Sequence, residues 1–432
     1  MQYQEYQLDA KALSADSLLL HSLLTGLLGA LLLLRPHLMS NLFRWSAFWL
    51  FLLSGAAGLL AFFFGRKQEV RNIRQLLMAF ISLYLAWFAY RHPAQMSALL
   101  PLAMGANALL SGFLHFVTCY LQRKNNEWVG LNTFFMGLLS ALLGMLLVIW
   151  PVAMIDTALV LSGLYCLMSA ATQFTDYLEE RRPGSKPGRV WRRVRVDAPP
   201  ALFALVPKRA QEKINRIWDR LSEDASEADE DGGESAPDFE IFIHATEKGL
   251  GTVGHVDICF EDVVRTYGPY DFDSHRWGGL ICNGVLAVIS GRDRYLNFCT
   301  NYSKKTIFCY GLRLTGEQKE QVRKKIDQLM LQVRVWHSPY RRDPTKPHTD
   351  YASVLQRELD AQLYQFVKGE FQTYFMGSTN CAMLADRIIG SLGTDILSPG
   401  GLVTPGAYYS YLEREYRKKS GLVVSKRVCR AA

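Results

Sequence analysis

Between Ser17 and Thr175 the chain runs as apolar stretches broken by short charged clusters: Ser17–Leu34, Trp45–Gly65, Gln75–Tyr90, Ser97–Gln122, Trp128–Trp150 and Thr157–Thr175. A membrane-crossing helix needs about 20 apolar residues, so the pattern predicts six spans. The third stretch is short and the fourth is long enough to tilt. Trp45, Trp87, Trp128 and Trp150 fall near span ends, where interfacial aromatics belong. After Glu179 the pattern changes. Charge becomes dense, and from Phe239 short alternating runs replace the long apolar ones.

The spans repeat in pairs. The first member of each pair ends near a proline, in LLGALLLLRP, LYLAWFAYRHP and LLGMLLVIWP; the second carries a small-residue patch, SGAAG, GANALLSG and LSGLYCLMSA. Small residues let helices approach closely. Pro36, Pro93 and Pro151 are 57 and 58 positions apart, so the sequence reads as a triplicated helical hairpin. This pattern resembles the HdeD family of small bacterial membrane proteins over roughly residues 17 to 177. The resemblance implies a stress-related envelope role linked to acid resistance, in the bacterial inner membrane, and no particular chemistry.

His21 and His115 are the ionisable side chains that fall within the stretches. A lone histidine in a span is usually a hydrogen-bonded packing residue, so a transport path is not indicated. The first apolar run follows Asp9, Lys11 and Asp16, with no basic leader and no small-residue cleavage site, and is expected to be a retained span. Basic residues are unevenly shared. Arg35, Arg44 and Arg91 face one side. Lys11, Arg66, Lys67, Arg71, Arg74, Arg123 and Lys124 face the other, followed by the cluster from Arg181 to Arg195. Both termini and the C-terminal domain are therefore expected in the cytoplasm. The net charge of +8 is accounted for by these flanks, which meet anionic lipid, so nucleic acid is excluded as a partner. The eight cysteines form no CxxC pair or regular spacing, which suggests neither a zinc site nor a disulfide scaffold. A reducing compartment fits them.

The organisation expected is a transmembrane domain over 1–178, then a basic juxtamembrane segment, a helix at Ala201–Leu221 and an acidic disordered linker over 179–238. An α+β domain over 239–420 and a basic tail over 421–432 complete it. EIFIHA (Glu240–Ala245) and HVDICF (His255–Phe260) read as strands, the second placing His255, Asp257 and Cys259 on one face. A glycine loop with Gly249, Gly251 and Gly254 lies between them. Further strands are predicted at Val263–Tyr267, Leu286–Ile289, Tyr295–Cys299 and Thr306–Leu312. Helices are predicted from Thr315 to about Trp336, at Tyr351–Leu363 and at Ser378–Gly393.

Two residues in this domain can carry chemistry together. Cys381 follows Ser378, Thr379 and Asn380, which are good N-cap residues, so its thiol sits at the positive end of a helix. An imidazole beside it can take the proton. Taken singly, Cys381 is a small buried hydrophobe and His255 a hydrogen-bonded strand histidine; together they are a nucleophile and a base.

The order GHVDICF, then TNCAMLADRI, then GLVTPGAYYSYL resembles the circularly permuted papain-like enzymes, among them NlpC-type peptidases, YiiX-like hydrolases and lecithin:retinol acyltransferases. The resemblance covers about 239 to 416. It implies a papain-like fold with Cys381 as nucleophile and His255 as general base. Asn380 or the Cys381 N–H would help form an oxyanion hole. The third, orienting polar residue is usually on the next strand in that group, and the expected one is Asp271, with Asp273 and His275 close behind. Residues 336 to 349, with Arg341, Arg342 and Lys346, would form an insertion or lid.

Two readings follow. One is a membrane-anchored cysteine hydrolase or acyltransferase acting on an amide or ester, its tether favouring a lipid, lipoprotein or wall precursor. The other is a non-catalytic stress protein with a soluble binding or sensory module. No cofactor or metal is called for. The partners expected are the lipid bilayer and the amide or ester substrate, with self-association into a homo-oligomer left open.

Overall fold

The computed structural model describes residues 3–7, 14–64, 73–127, 130–181, 237–245, 254–395, 404–418 and 421–431. The basic run beyond Arg181, the expected helix at Ala201–Leu221, nearly all of the acidic linker and most of the glycine loop lie outside them. The chain divides into two compact units.

The first unit, residues 18–115 and 134–175, is helical. Among the described residues, six helices are long and apolar enough to cross a membrane: α1 (Ala15–Leu34), α2 (Pro36–Phe64), α3 (Ile73–Arg91), α4 (Pro93–Lys124, with a break at Ala98), α5 (Leu131–Ile149) and α6 (Ile155–Arg181). Pro36 and Pro93 stand at helix starts, where the missing N–H costs nothing. The second member of the first pair therefore begins at Pro36 and not at Trp45, because the proline starts a helix and does not end a loop.

Repeat-equivalent small residues form the contacts. Ala79 of α3 lies against Gly55 of α2, and Gly137 of α5 lies against Gly112 of α4: a Cβ on either glycine would come within 3.0 Å of the partner's carbonyl oxygen. The third equivalent pair is Ser22 and Ala170, joined by a 2.9 Å bond from the Ser22 hydroxyl to the Ala170 carbonyl. Each first helix thus packs on the second helix of the repeat before it, and α1 closes the series on α6. The Ser40 and Ser97 hydroxyls, one repeat apart in sequence, bond at 3.1 Å. His115 is buried and pairs through Nδ1 with the Ser111 carbonyl at 2.7 Å, as a packing histidine does.

The second unit comprises residues 1–17, 116–133 and 176–432. It is built on a nine-stranded antiparallel sheet. Its strands are β1 (Gln4–Gln7), β2 (Phe239–Ala245), β3 (His255–Phe260), β4 (Val263–Gly268), β6 (Val285–Ser290), β7 (Thr306–Leu312), β8 (Val333–Val335), β9 (Gln362–Phe366) and β11 (Val423–Arg430). The order across the sheet is β1-β11-β7-β2-β3-β4-β6-β9-β8, and β5 (Ile281–Asn283) pairs with β10 (Thr373–Phe375) in a small second sheet. Alternation sorts the side chains. Ile241, Ile243, Val256 and Ile258 face one apolar layer with α8 (Gly316–Met330), α10 (Cys381–Ile389) and α11 (Pro405–Tyr416). Phe242, Cys259 and Cys309 face another with α7 (Arg292–Asn297) and α9 (Tyr351–Leu359).

Several elements differ from the sequence expectation. Tyr295–Cys299 is not a strand: Tyr295 lies in α7. Gly291, at φ 90°, ends β6, and Asp262 Oδ1 accepts the first helical N–H, that of Arg292, at 2.8 Å. The helix after Thr315 stops at Met330, and the one after Tyr351 stops at Leu359, where Asp360 turns left-handed at φ 53°. Strand β9 and the edge strand β8 take the residues beyond. The expected basic tail is β11, whose side chains Val423, Val428 and Cys429 are buried.

The N-terminal β1 joins the sheet beside β11. Arg292 fastens it, pairing with Glu5 at 2.7 Å and with Glu240 at 2.5 Å. A second buried anchor joins the end of α6 to α11. Lys418 Nζ lies 2.9 Å from Asp176 and 2.7 Å from Glu415. Lys418→Ala removes the cation these buried carboxylates share, and should lower stability by about 3 kcal/mol. Thermal unfolding in detergent checks this, with the Lys418→Met/Asp176→Asn double variant expected to regain much of the loss.

Candidate functional site

The site forms at the end of the sheet, where β3 begins and α10 starts. Asn380 is the N-cap of α10: its side-chain oxygen accepts the Met383 N–H at 3.0 Å, and its Nδ2 donates to the Met376 carbonyl at 3.0 Å. That fixes Cys381 as the first residue of the helix. Its sulfur accepts the backbone N–H of Val256, next to His255 in the chain, at 3.4 Å, and Cys381 and His255 line one cleft. His255 and Cys381 are thus brought together. The Asn380 side-chain oxygen is committed to the cap and one of its Nδ2 hydrogens to the Met376 carbonyl.

His255 is held from its far side. Thr266 Oγ1 lies 2.8 Å from Nε2 and the Tyr270 hydroxyl 3.3 Å from it. Asp257 Oδ1 lies 2.8 Å from the same nitrogen, off the line of the N–H. Asp257 is two residues along β3 on the same face, and Thr266 is its register partner on β4. Gly268 makes room for Tyr270: a Cβ there would come within 2.5 Å of the ring.

Asp257 is fully buried. Its Oδ2 accepts the Tyr295 hydroxyl at 2.5 Å and lies 2.7 Å from His244 Nε2. His244 stands opposite His255 in the β2–β3 register, with the rings 5.7 Å apart and edge to face. Electrostatics separate the two imidazoles. Burial pushes His255 down, but the Cys381 sulfur and the Asp257 carboxylate outweigh it and raise its pKa to about 10. Burial prevails at His244, against the pull of Asp257, and lowers it to about 4. Burial also opposes ionisation of Asp257, but the two imidazoles hold its carboxyl well below the ordinary range. At neutral pH the arrangement is a carboxylate between a protonated His255 and a neutral His244.

Asp271, expected at the imidazole, is elsewhere. β4 ends at Gly268 and Pro269 turns the chain away. The Asp271 carboxylate accepts from Asn283 Nδ2 at 3.1 Å and from Gln365 Nε2 at 3.0 Å. His275 bonds the Pro269 carbonyl, and Asp273 pairs with Arg342 at 3.4 Å. The carboxylate at the imidazole is Asp257, which the HVDICF alternation already set on the face of His255. His244 carried a weaker signal, as the one polar residue within the apolar run of EIFIHA.

His255 and Cys381 open on a cleft of about 390 Å³, lined by Tyr270, Phe272, Tyr351, Tyr374 and Met376, with Lys305 at its side. The Lys305 ammonium lies 4.9 Å from the Tyr351 ring centre. A thiol at a helix start, an imidazolium against it and a buried carboxylate behind can form and break a thioester. Among the described residues no group of three or more His, Cys, Asp or Glu side chains could hold a metal ion.

The comparisons bear on the membrane unit. The family described as "Short repeat of unknown function (DUF308)" matches three times, at residues 20–91, 77–144 and 135–192. The matches start 57 and 58 residues apart, the steps of the prolines. With the six apolar helices of the described residues, they support an integral membrane protein whose N-terminal half is similar to these repeats. No curated protein and no solved structure matches the chain.

Proposed function

We propose that the chain is a membrane-anchored thiol hydrolase or acyltransferase, with a papain-like C-terminal domain acting on an amide or ester. The observation that carries this reading is that the Cys381 thiol and the His255 imidazole line one cleft, with a buried carboxylate 2.8 Å from that imidazole. In the reaction, the sulfur attacks the carbonyl carbon and the charge on oxygen develops toward the Cys381 N–H at the start of α10. Collapse of the tetrahedral adduct expels the amine or alcohol, which takes its proton from His255 Nδ1, since Nε2 faces Thr266 and Asp257. The neutral imidazole then activates water, or a second hydroxyl or amine, to release the acyl group from sulfur. Asp257 holds the ring in position and stabilises its cation.

The domain belongs on the cytoplasmic side of a bacterial inner membrane in this reading, in an envelope-stress setting. The basic flanks support it. The pairing of β1 with β11 supports only that these two strands share one side of the membrane. Treatment with p-nitrophenyl acetate followed by peptide mass spectrometry tests the chemistry. A hydroxylamine-labile acetyl group on Cys381, absent from His255→Ala, is expected. Acetylation spread over lysines with Cys381 unmodified would overturn the reading.

A further inference from the structure

The loop that presents Cys381 is held by residues from the end of a membrane-spanning helix. Residues 116–133, the last turns of α4 and the connection after it, belong to the same compact unit as the sheet. Thr118 donates its hydroxyl to Ser378 Oγ at 3.0 Å, and both are buried. Seven residues further on, Asn125 Oδ1 accepts the Thr373 hydroxyl at 2.8 Å. The Thr373 carbonyl in turn accepts the Thr379 hydroxyl at 2.7 Å. Two polar chains therefore run from α4 to the Ser378–Thr379–Asn380 turn that caps α10. The side chains meet beside a cavity of about 190 Å³ lined by Thr118, Gln122, Asn125, Ser378, Thr379 and Met383, among others. Close packing cannot hold a loop against empty space. On that side the loop depends on these hydrogen bonds.

We infer that Thr118 and Asn125 are positioning residues for Cys381, so that the reactivity of the site depends on the seating of α4. The inference rests on the thiol chemistry proposed above. A sulfur displaced from the imidazole by a fraction of an ångström loses its partner, and neither Thr118 nor Asn125 lines the substrate cleft. Because α4 continues upward as a span, a shift of that helix would reach the nucleophile without any ligand in the cleft.

The test uses the full chain in detergent. The alkylation rate of Cys381 by iodoacetamide at pH 6.5 is followed by peptide mass spectrometry in wild type, Thr118→Val, Asn125→Ala, Ser378→Ala and Thr118→Ser. Loss of either hydrogen-bond chain should slow alkylation about tenfold, while Thr118→Ser, which keeps the hydroxyl, stays near wild type. Amide hydrogen exchange over residues 376–384 reads the same loop without reference to thiol chemistry, and should be faster in the three variants that lose a bond. Ser378→Ala removes the Thr118 bond from the other side, should Thr118→Val fail to fold. Unchanged exchange and unchanged alkylation in the folded variants would overturn the inference. A wild-type Cys381 no more reactive than the buried cysteines, with exchange still rising in the variants, would count against the proposed chemistry and leave the positioning role standing.

Discussion

Replacing Cys381 with serine should abolish acyl transfer to the domain, by on the order of a thousandfold or more, while the protein still folds. The hydroxyl is smaller, can still accept the Val256 N–H that now reaches sulfur at 3.4 Å, and leaves the cap by Asn380 untouched. Stability should change by about 1 kcal/mol or less. A cysteine kept only for packing behaves the opposite way, with activity unaffected and stability reduced. Cys282 and Cys259 supply the comparison. Burial pushes each thiol up to about 12, so neither forms a thiolate at neutral pH, and serine at either position should spare the chemistry.

Asp257→Asn should also be severely damaging to turnover, by on the order of 10⁴-fold, as when the carboxylate of a triad is neutralised elsewhere. Shape is conserved, so the loss is one of charge. The carboxylate helps keep His255 protonated up to about pH 10. Without it the imidazolium loses its proton at lower pH, and the alkaline fall in rate should move toward neutrality. The linkage with stability has a defined sign. His255 carries a raised pKa, so its contribution is complete below about pH 6.5, the ordinary histidine value, and is lost as pH rises through about 10. Asp257, with its carboxyl held low, contributes above the ordinary carboxylate range and loses that contribution in acid. His244 works in the same direction as Asp257: it stays neutral in the fold, so stability falls as pH drops from about 6.5 toward 4. Asp257→Asn should therefore flatten the alkaline loss of stability while the loss attributable to His244 remains. Melting midpoints between pH 5 and 10, set beside the rate profile, check both halves.

Much of the membrane unit was legible because its signal is local. A span needs only a run of apolar residues, and the triplication left Pro36, Pro93 and Pro151 in step. The small-residue patches were visible too, although their pairing was not. That Gly112 meets Gly137, and that α1 closes on α6 through Ser22 and Ala170, depends on the order of helices around the unit. In the sheet, the alternation of HVDICF gave β3 and set His255 beside Asp257. Asp271 was favoured by a resemblance in which the third residue is usually on the next strand, whereas Pro269 turns the chain there and Asp257 of β3 takes its place. Tyr295 read as a strand because its aromatic neighbours fit a pleat. Gly291 and the Asp262 cap decide otherwise, and that helix is what delivers the Tyr295 hydroxyl to Asp257. The strand β1, more than four hundred residues from its partner, could not be read from local pattern at all.

The central claim is that Cys381 and His255 form a working thiolate–imidazolium pair, and the rate of Cys381 alkylation as a function of pH tests it most directly. Wild type should alkylate at Cys381 ahead of Cys259, Cys282 and Cys299 and keep doing so at pH 6, while His255→Ala should react about a hundredfold more slowly there. A Cys381 whose rate at pH 6 is indifferent to His255→Ala, or no greater than that of the buried cysteines, would contradict the account.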